Sequence, residues 1–252
     1  PPVELDPADH AEATFDDPLV VIDPTDPERN VAAALSPENV ARLQHYAREL
    51  LADPREDLFE PDEPDPLDAD DVREVLDARG TTPVAVAFDA PDLVDDQLWP
   101  QLRKSRHGVA DELDRRGFDV FRSAAFADDR AVLFLELAVA ERPAIERHDG
   151  PPVHVREHAR GFYEKYADGS RTESTDPPYG PFIAEDRYVV EREREYTSAR
   201  EFLTSDALFE VALGAHVESA LEDGYDVLVG DDVAELAAPF GTALARYFSP
   251  KP

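Results

Sequence analysis

Three groups of residues in this chain of 252 have types and spacings that could do chemistry. The first is a single arginine. Val20, Val21 and Ile22 are β-branched and read as a strand, which runs into two Asp-Pro steps, Asp23-Pro24 and Asp26-Pro27. Each proline holds the aspartate before it in extended backbone, so the turn is kept from collapsing into helix. Arg29-Asn30 then emerges on a short stiff arm, ahead of a small apolar run. The arginine is either presented at a defined place or paired with Asp23 or Asp26.

The second group is a run of cations. Arg103, Lys104, Arg106 and His107 share one helical stretch, with Arg115, Arg116 and Arg122 further on. Trp99-Pro100, just before them, offers a flat surface on which a ribose or base could rest. The alternative is a solvated face paired with Asp111 and Asp114, and a tryptophan in the core. The third group holds metal-ligand types. Asp68-Ala69-Asp70 has the Asp-x-Asp spacing of two-metal phosphoryl-transfer sites, which need both carboxylates fixed on a strand. Here they follow prolines and precede a helix, so the expected role is a helix cap. His154-x-x-Glu157-His158 fits a zinc pattern, with both histidines on one helical face. No third ligand stands at a fixed distance, and the expectation is that no metal binds. Arg187, Arg192, Arg194 and Arg200 alternate with acids and are expected in surface ion pairs.

The elements that must position these groups follow from hydrophobic periodicity. Pro37 to Leu51 carries Val40, Leu43, Tyr46, Ala47, Leu50 and Leu51 at helical spacing, with Ser36 as N-cap, and is expected to pack into a core. Residues 55–70 form an acidic linker anchored by Leu58-Phe59. From residue 81 the order is β-α-β-β-α-β. Thr82–Phe88 is a strand, and Asp92–Arg116 is a helix interrupted or restarted at Pro100. Phe118–Ala124 and Arg130–Val139 are strands, Pro152–Tyr166 a helix and Arg187–Glu195 a final strand. Gly169–Pro181 is a polar loop, and Ser198–Phe248 is helical. The expected class is α+β: a ferredoxin-like (βαββαβ) core at about 81–196 with additional C-terminal helices, preceded by the end of a helical central domain. The expected division is 1–62 and 63–252, with residues 1–19 an irregular opening.

Composition narrows the setting. The net charge is −32, from 57 acids against 25 bases, and only Lys104, Lys165 and Lys251 are lysines. The acids lie within periodic segments, which argues against disorder and for adaptation to high salt. At molar salt the Debye length is about 3 Å, so an anionic protein can still approach RNA. There is no cysteine, compatible with a reducing cytoplasm. No apolar run approaches the ~20 residues of a membrane span. The chain has no methionine and starts with proline, so it reads as a processed or trimmed piece.

One ordered set of residues carries a family resemblance. Asp23-Pro24-x-Asp26-x-x-Arg29-Asn30-Val31-Ala32-Ala33-x-Leu35-Ser36, with Asn39, resembles the archaeal class I CCA-adding enzymes, which are tRNA nucleotidyltransferases. Asp95-Asp96-x-Leu98-Trp99-Pro100-Gln101-Leu102, Arg122-Ser123-Ala124, Pro181-Phe182-Ile183 and Leu213-Gly214 with Val217 continue it in the expected order. The resemblance implies CCA addition to the tRNA 3′ end from CTP and ATP with Mg2+, in the cytoplasm. It places Arg29 and Asn30 at the incoming nucleotide. It places Trp99, Pro100, Gln101, Arg103, Lys104, Arg106 and Arg122 at the tRNA, whose acceptor stem and T-arm this half would hold. Lys104 stands where relatives can carry arginine. The catalytic carboxylates, with the magnesium, would belong to an N-terminal catalytic domain outside this sequence, because Gly169-Ser170 is the only Gly-Ser pair here and no Asp/Glu-x-Asp strand follows it. A homodimer is left open. Two rivals remain: a freestanding ferredoxin-like RNA- or protein-binding module without catalysis, and a zinc hydrolase at His154, Glu157 and His158.

Overall fold

A computed structural model of the chain describes residues 15–60, 63–167 and 179–252. The first fourteen residues of the expected irregular opening and residues 169–178 of the expected polar loop lie outside the described residues. Two compact units divide the chain: Pro1–Pro64 with Ser249–Pro252, and Asp65–Phe248. Among the described residues, no helix is long and apolar enough to cross a membrane.

In the first unit, β1 (Ile22–Asp23) pairs antiparallel with β2 (Asp26–Asn30). The expected strand is cut short because the Asp-Pro turn folds the chain straight back. α1 (Pro37–Ala52) starts at Ser36, whose side chain accepts from the Asn39 amide. Its expected role in core packing is not met: Val40 is buried, but Leu43, Tyr46 and Leu51 are exposed, Leu51 at 84%. Among the described residues of this unit, the hairpin does not cover that stripe. On the short 3-10 turn Glu56–Phe59, Leu58 is half-buried, while Phe59 is exposed.

The second unit is built on a four-stranded antiparallel sheet: β3 (Thr82–Asp89), β4 (Val120–Ala127), β5 (Arg130–Leu137) and β9 (Tyr225–Val229). The spatial order is β4-β5-β3-β9, the split arrangement of a ferredoxin-like fold. β5 sits inside the sheet, and every residue from Ala131 to Leu137 is buried. Alternation along the strands divides the core in two. Val84, Val86 and Phe88 face α3 (Asp95–Arg115) and α6 (Ala215–Asp223) through Leu102, Val109, Leu113, Val217 and Leu221. Ala85, Ala87, Val132 and Phe134 face α2 (Ala69–Arg79) and α7 (Ala237–Phe248) through Val72, Leu76, Leu244 and Tyr247. α3 runs unbroken through Pro100, against expectation. The ring removes one donor on an exposed turn, where water can take the released carbonyl.

Arg187–Glu195 is not the closing strand of this sheet. Instead β6 (Ile145–Pro152), β7 (Tyr179–Ala184) and β8 (Arg187–Glu193) form a separate sheet in the order β6-β8-β7, packed on α4 (Arg156–Ala167). The true fourth strand is β9, five residues between Gly224 and Gly230 in a stretch otherwise helical. Two antiparallel segments join the inserted sheet to the larger one, with Arg142 N donating to Thr197 O at 2.7 Å and Arg194 N to Ala144 O at 2.7 Å. A fifth helix, α5 (Ala199–Leu203), follows the second segment.

The insert has an aromatic core. His148 stacks on Phe162 at 5.7 Å, and Phe162 stacks on Tyr188 at 6.5 Å. Burial, then the charges of Arg192 and Lys165, hold the His148 imidazole below its ordinary value of 6.5, with Glu146 and Asp149 opposing. The unfolded chain therefore takes up the proton more readily than the folded one. Stability is complete above pH 6.5 and declines as pH falls below it. Denaturant titrations at pH 7 and pH 5 are expected to show a loss that is smaller in His148→Phe.

Candidate nucleic-acid interface

Asn30 builds the hairpin that carries Arg29. It is buried, and both halves of its amide are engaged. Oδ1 accepts from Val21 N at 2.8 Å and Ala32 N at 2.9 Å, while Nδ2 donates to Asp17 Oδ2 and Leu19 O, both at 2.9 Å. Asn30 thus points into the fold, and its effect on any ligand passes through its neighbour. Asp23 accepts from the Thr25 hydroxyl and amide, which, ahead of Arg29, hold its carboxyl below the usual range. Arg29 lies 3.5 Å from Asp23 Oδ2, and its side chain is 67% exposed. Both alternatives for this arginine hold together: it leans on Asp23 and still faces outward.

In the second unit, α3 turns Leu98, Leu102, Ser105 and Val109 inward and leaves Arg103, Lys104 and His107 exposed. Its first half is locked against the start of α6. Gln101 Oε1 accepts from His216 N at 2.8 Å, and Ser105 Oγ accepts from Gly214 N at 2.9 Å. The two backbones touch, for a Cβ on Gly214 would lie 2.6 Å from Gln101 Cβ. Arg106 donates to Ser123 O at 2.9 Å, tying α3 to the edge strand β4. Arg103 and Lys104 have no ion-pair partner among the described residues, so the alternative of a face paired with Asp111 and Asp114 is not seen there. Trp99 is half-buried beside a recess lined by Asp92, Asp95, Asp128 and Asp129, while Pro100 is exposed. Arg115 pairs with Glu112, and Arg116 bridges Glu112 and Glu195.

Arg122 belongs to a different cluster. Its partner across the ladder is Glu136, which is fully buried. Glu136 accepts two hydrogen bonds from Arg79, one from Thr81 and one from Tyr247 at 3.0 Å. Burial pushes the Glu136 carboxyl up, but these donors and the Arg79 charge outweigh it and hold the group below its usual value. Its contribution to stability is in place above the ordinary carboxyl range and is lost as pH falls through the lower value. Burial and the neighbouring Glu136 raise the Tyr247 phenol well above its own. Arg122 stacks on the Tyr247 ring, 4.0 Å from its centroid. Sequence patterns pointed to Arg122 but not to Arg79, Phe121, Tyr247 or His216. Arg79 carries the one signal that could have helped, a cation in the last turn of a helix before a Gly cap.

The metal motifs dissolve. Asp68 caps α2 in a box with Asp71, and Asp70 is exposed and pairs with Arg73, as expected of cap residues. His154 sits in a turn before α4 rather than on it, so it shares no helical face with His158. The Pro151-Pro152 strand end delays the helix to Arg156. No three histidine or carboxylate side chains gather as a metal site among the described residues. Arg187, Arg192, Arg194 and Arg200 do form ion pairs, with Asp186, Glu146, Glu146 and Asp232.

Comparison with known proteins adds two matches along the chain. Residues 79–230 match the family described as CCA-adding enzyme, C-terminal domain, and residues 1–60 match tRNA nucleotidyltransferase, second domain. A CCA-adding enzyme of Haloarcula marismortui is 61% identical over the whole chain, and one of Halorubrum lacusprofundi is 62% identical. One of Methanoregula boonei is 40% identical over 99% of the chain. The chain spans 56%, 56% and 52% of these relatives, about half their length. The species of the two nearer relatives support a halophilic source.

Two substitutions test the geometry. Asn30→Ala leaves two backbone amides without their acceptor and is expected to lower stability by about 1–3 kcal/mol. Gly214→Ala forces α3 and α6 apart and is expected to cost about 1–3 kcal/mol. Denaturant unfolding in concentrated KCl measures both.

Proposed function

The chain belongs to the CCA-adding enzyme family, and from that membership we propose that it is the tRNA-gripping, nucleotide-touching part of an enzyme that adds CCA to the tRNA 3′ end from CTP and ATP. The observation that carries this reading is an outward guanidinium on a hairpin that Asn30 locks from inside. A guanidinium carries donors and no acceptor. Cytosine N3 and adenine N1 are bare acceptors, whereas uracil N3 and guanine N1 carry hydrogens. A donor fixed at that edge favours the two bases that CCA addition requires. The locked hairpin means that little order has to be gained when the nucleotide arrives.

The body of the chain would hold the acceptor stem and T-arm in the cytoplasm. Arg103 and Lys104 supply the free charge, beside Trp99 and Pro100. Lys104 gives a point charge where an arginine would give a planar fork. Gln101 and Arg106 serve by fixing α3 against His216 and Ser123. The proposed division is a nucleotide-side segment at 1–62 and a tRNA-binding body and tail at 63–252. Magnesium would neutralise the triphosphate and activate the 3′ hydroxyl. The described residues do not fit it: they gather no ligand set, and Asp68 and Asp70 are occupied as a helix cap and a surface pair. The catalytic carboxylates are proposed to lie in a further domain.

In the full-length enzyme, Arg29→Ala is expected to raise KM for CTP and ATP by about tenfold or more, the worth of a charged hydrogen bond. The tRNA Kd should stay within about twofold, because in this reading most of the RNA-binding surface lies in the rest of the chain. Steady-state kinetics and filter binding separate the two. An equal loss of tRNA binding would remove this role from Arg29.

A further inference from the structure

The three-stranded insert hangs on the four-stranded sheet by a two-stranded ribbon, and the ribbon has a fault in it. On the body side, Ala199 N donates to Ala140 O at 3.2 Å and Arg142 N to Thr197 O at 2.7 Å, with Glu141 bridged to Ser198 between them. On the insert side, Arg194 N donates to Ala144 O at 2.7 Å, and Ile145 pairs with Glu193. Two residues, Glu195 and Tyr196, therefore stand opposite Pro143 alone. That is a β-bulge, which breaks the ladder locally and bends the strand that carries it. The proline removes a further donor at the same level.

The two sides of the bulge are anchored to different bodies. Tyr196 belongs to the larger one: its ring meets Phe202 at 5.7 Å, and its hydroxyl accepts from Ser205 Oγ at 3.1 Å. Arg142 packs on the same side, since a Cβ on Gly117 would lie 3.0 Å from its guanidinium carbon. Arg192 and Arg194 belong to the insert, where both pair with Glu146. Glu195 lies between the two sets and is held by Arg116, the C-cap of α3. Arg116 donates from Nε to Glu112 Oε1 at 2.6 Å and from Nη1 to Glu195 Oε2 at 2.9 Å. Its guanidinium also lies 4.6 Å from the Tyr196 ring centroid and 4.8 Å from that of Phe202. A cation mounted on the body thus reaches across the bulge to one exposed carboxylate. A recess of about 710 Å3 straddles the same place, with Arg115 and Arg116 on one wall and Glu146 and residues 192–196 on the other. It leaves room for the insert to swing.

We propose that Pro143 and the Glu195–Tyr196 bulge form a hinge on which the insert turns against the four-stranded sheet, and that the Arg116–Glu195 pair is the latch holding the setting seen here. Such a hinge absorbs its motion in a few residues and leaves the packed bodies on either side intact. The hinge goes beyond the RNA reading above and does not depend on it.

The chain has no cysteine, so two introduced thiols carry spin labels at chosen places. Double electron–electron resonance on the 252-residue chain measures the distance between Asp111→Cys on α3 and Glu157→Cys on α4, both exposed positions. With Arg116 and Glu195 in place, one narrow distance is expected. Arg116→Gln and Glu195→Gln are each expected to broaden it about twofold, since the bulge then bends without its grip. Arg116→Lys keeps the charge but loses the planar fork, and is expected to broaden it as well. A second label pair within the insert, Glu157→Cys with Glu191→Cys, is expected to keep its distance in every variant. Circular dichroism checks folding, and if Arg116→Gln unfolds, Glu195→Gln decides. A narrow distance in the folded variants means that the ribbon is stiff without the pair, and overturns the proposal. So does a distance already as broad in the native sequence as in the variants. Broadening in Arg116→Gln with none in Glu195→Gln overturns the latch, and broadening that also disturbs the pair within the insert marks melting and overturns the hinge.

Discussion

One buried carboxylate fastens the second unit together. Glu136 sits near the end of the inner strand β5, and its partners come from the end of α2, the residue just before β3 and the last turn of α7. A charge in that position is tolerable only because every lone pair has a donor; removing one partner of such a pair costs about 3–5 kcal/mol. Hydrophobic packing alone could let α2 and α7 slide along the sheet. The fork of Arg79 and the phenol of Tyr247 admit one register. That register sets where Arg122 and Phe121 stand at the edge strand.

The charge pattern has its own logic. Most arginines here are tied to neighbouring carboxylates, as in the pairs around Glu112 and Glu146. Among the described residues, Arg103 and Lys104 face outward without an ion pair, as do Arg48, Arg156 and Arg246, but only the first two are adjacent on one helix. At high salt, long-range attraction to RNA is screened. What remains is short-range: a fixed guanidinium, a flat ring and a shape. The rigid mounts of Arg29 and α3 fit that requirement, because contacts that act over a few ångströms must already be in place when the ligand arrives.

Much of this was legible in the residues. The Asp-Pro steps, the Ser36 cap and the apolar stripe of α3 each have a local cause, and each appears where its cause places it. The closing strand was not legible, because β9 has only five residues and its alternation is hidden between helical patterns. Without it, Arg187–Glu195 is the natural substitute, although that segment pairs elsewhere, as β8. The stripe on α1 was read correctly as a stripe, but periodicity says which face is apolar and not what covers it. In the candidate site, side chains with unusual composition around them were found. Phe121 and Tyr247 were missed, since a bulge depends on how two strands register and the Tyr247 hydrogen bond reaches a residue 111 positions away.

The placement of β9 has a consequence for how the chain is made. Its partner, β3, emerges from the ribosome well over a hundred residues earlier, and the whole inserted sheet is synthesised in between. During that interval β3 has one open edge. The insert is local in its pairing and can close first, shortening the loop that must be drawn in before β9 docks. Biogenesis therefore finishes from the carboxyl end, and a nascent chain stalled before Tyr225 carries an unzipped strand that invites aggregation.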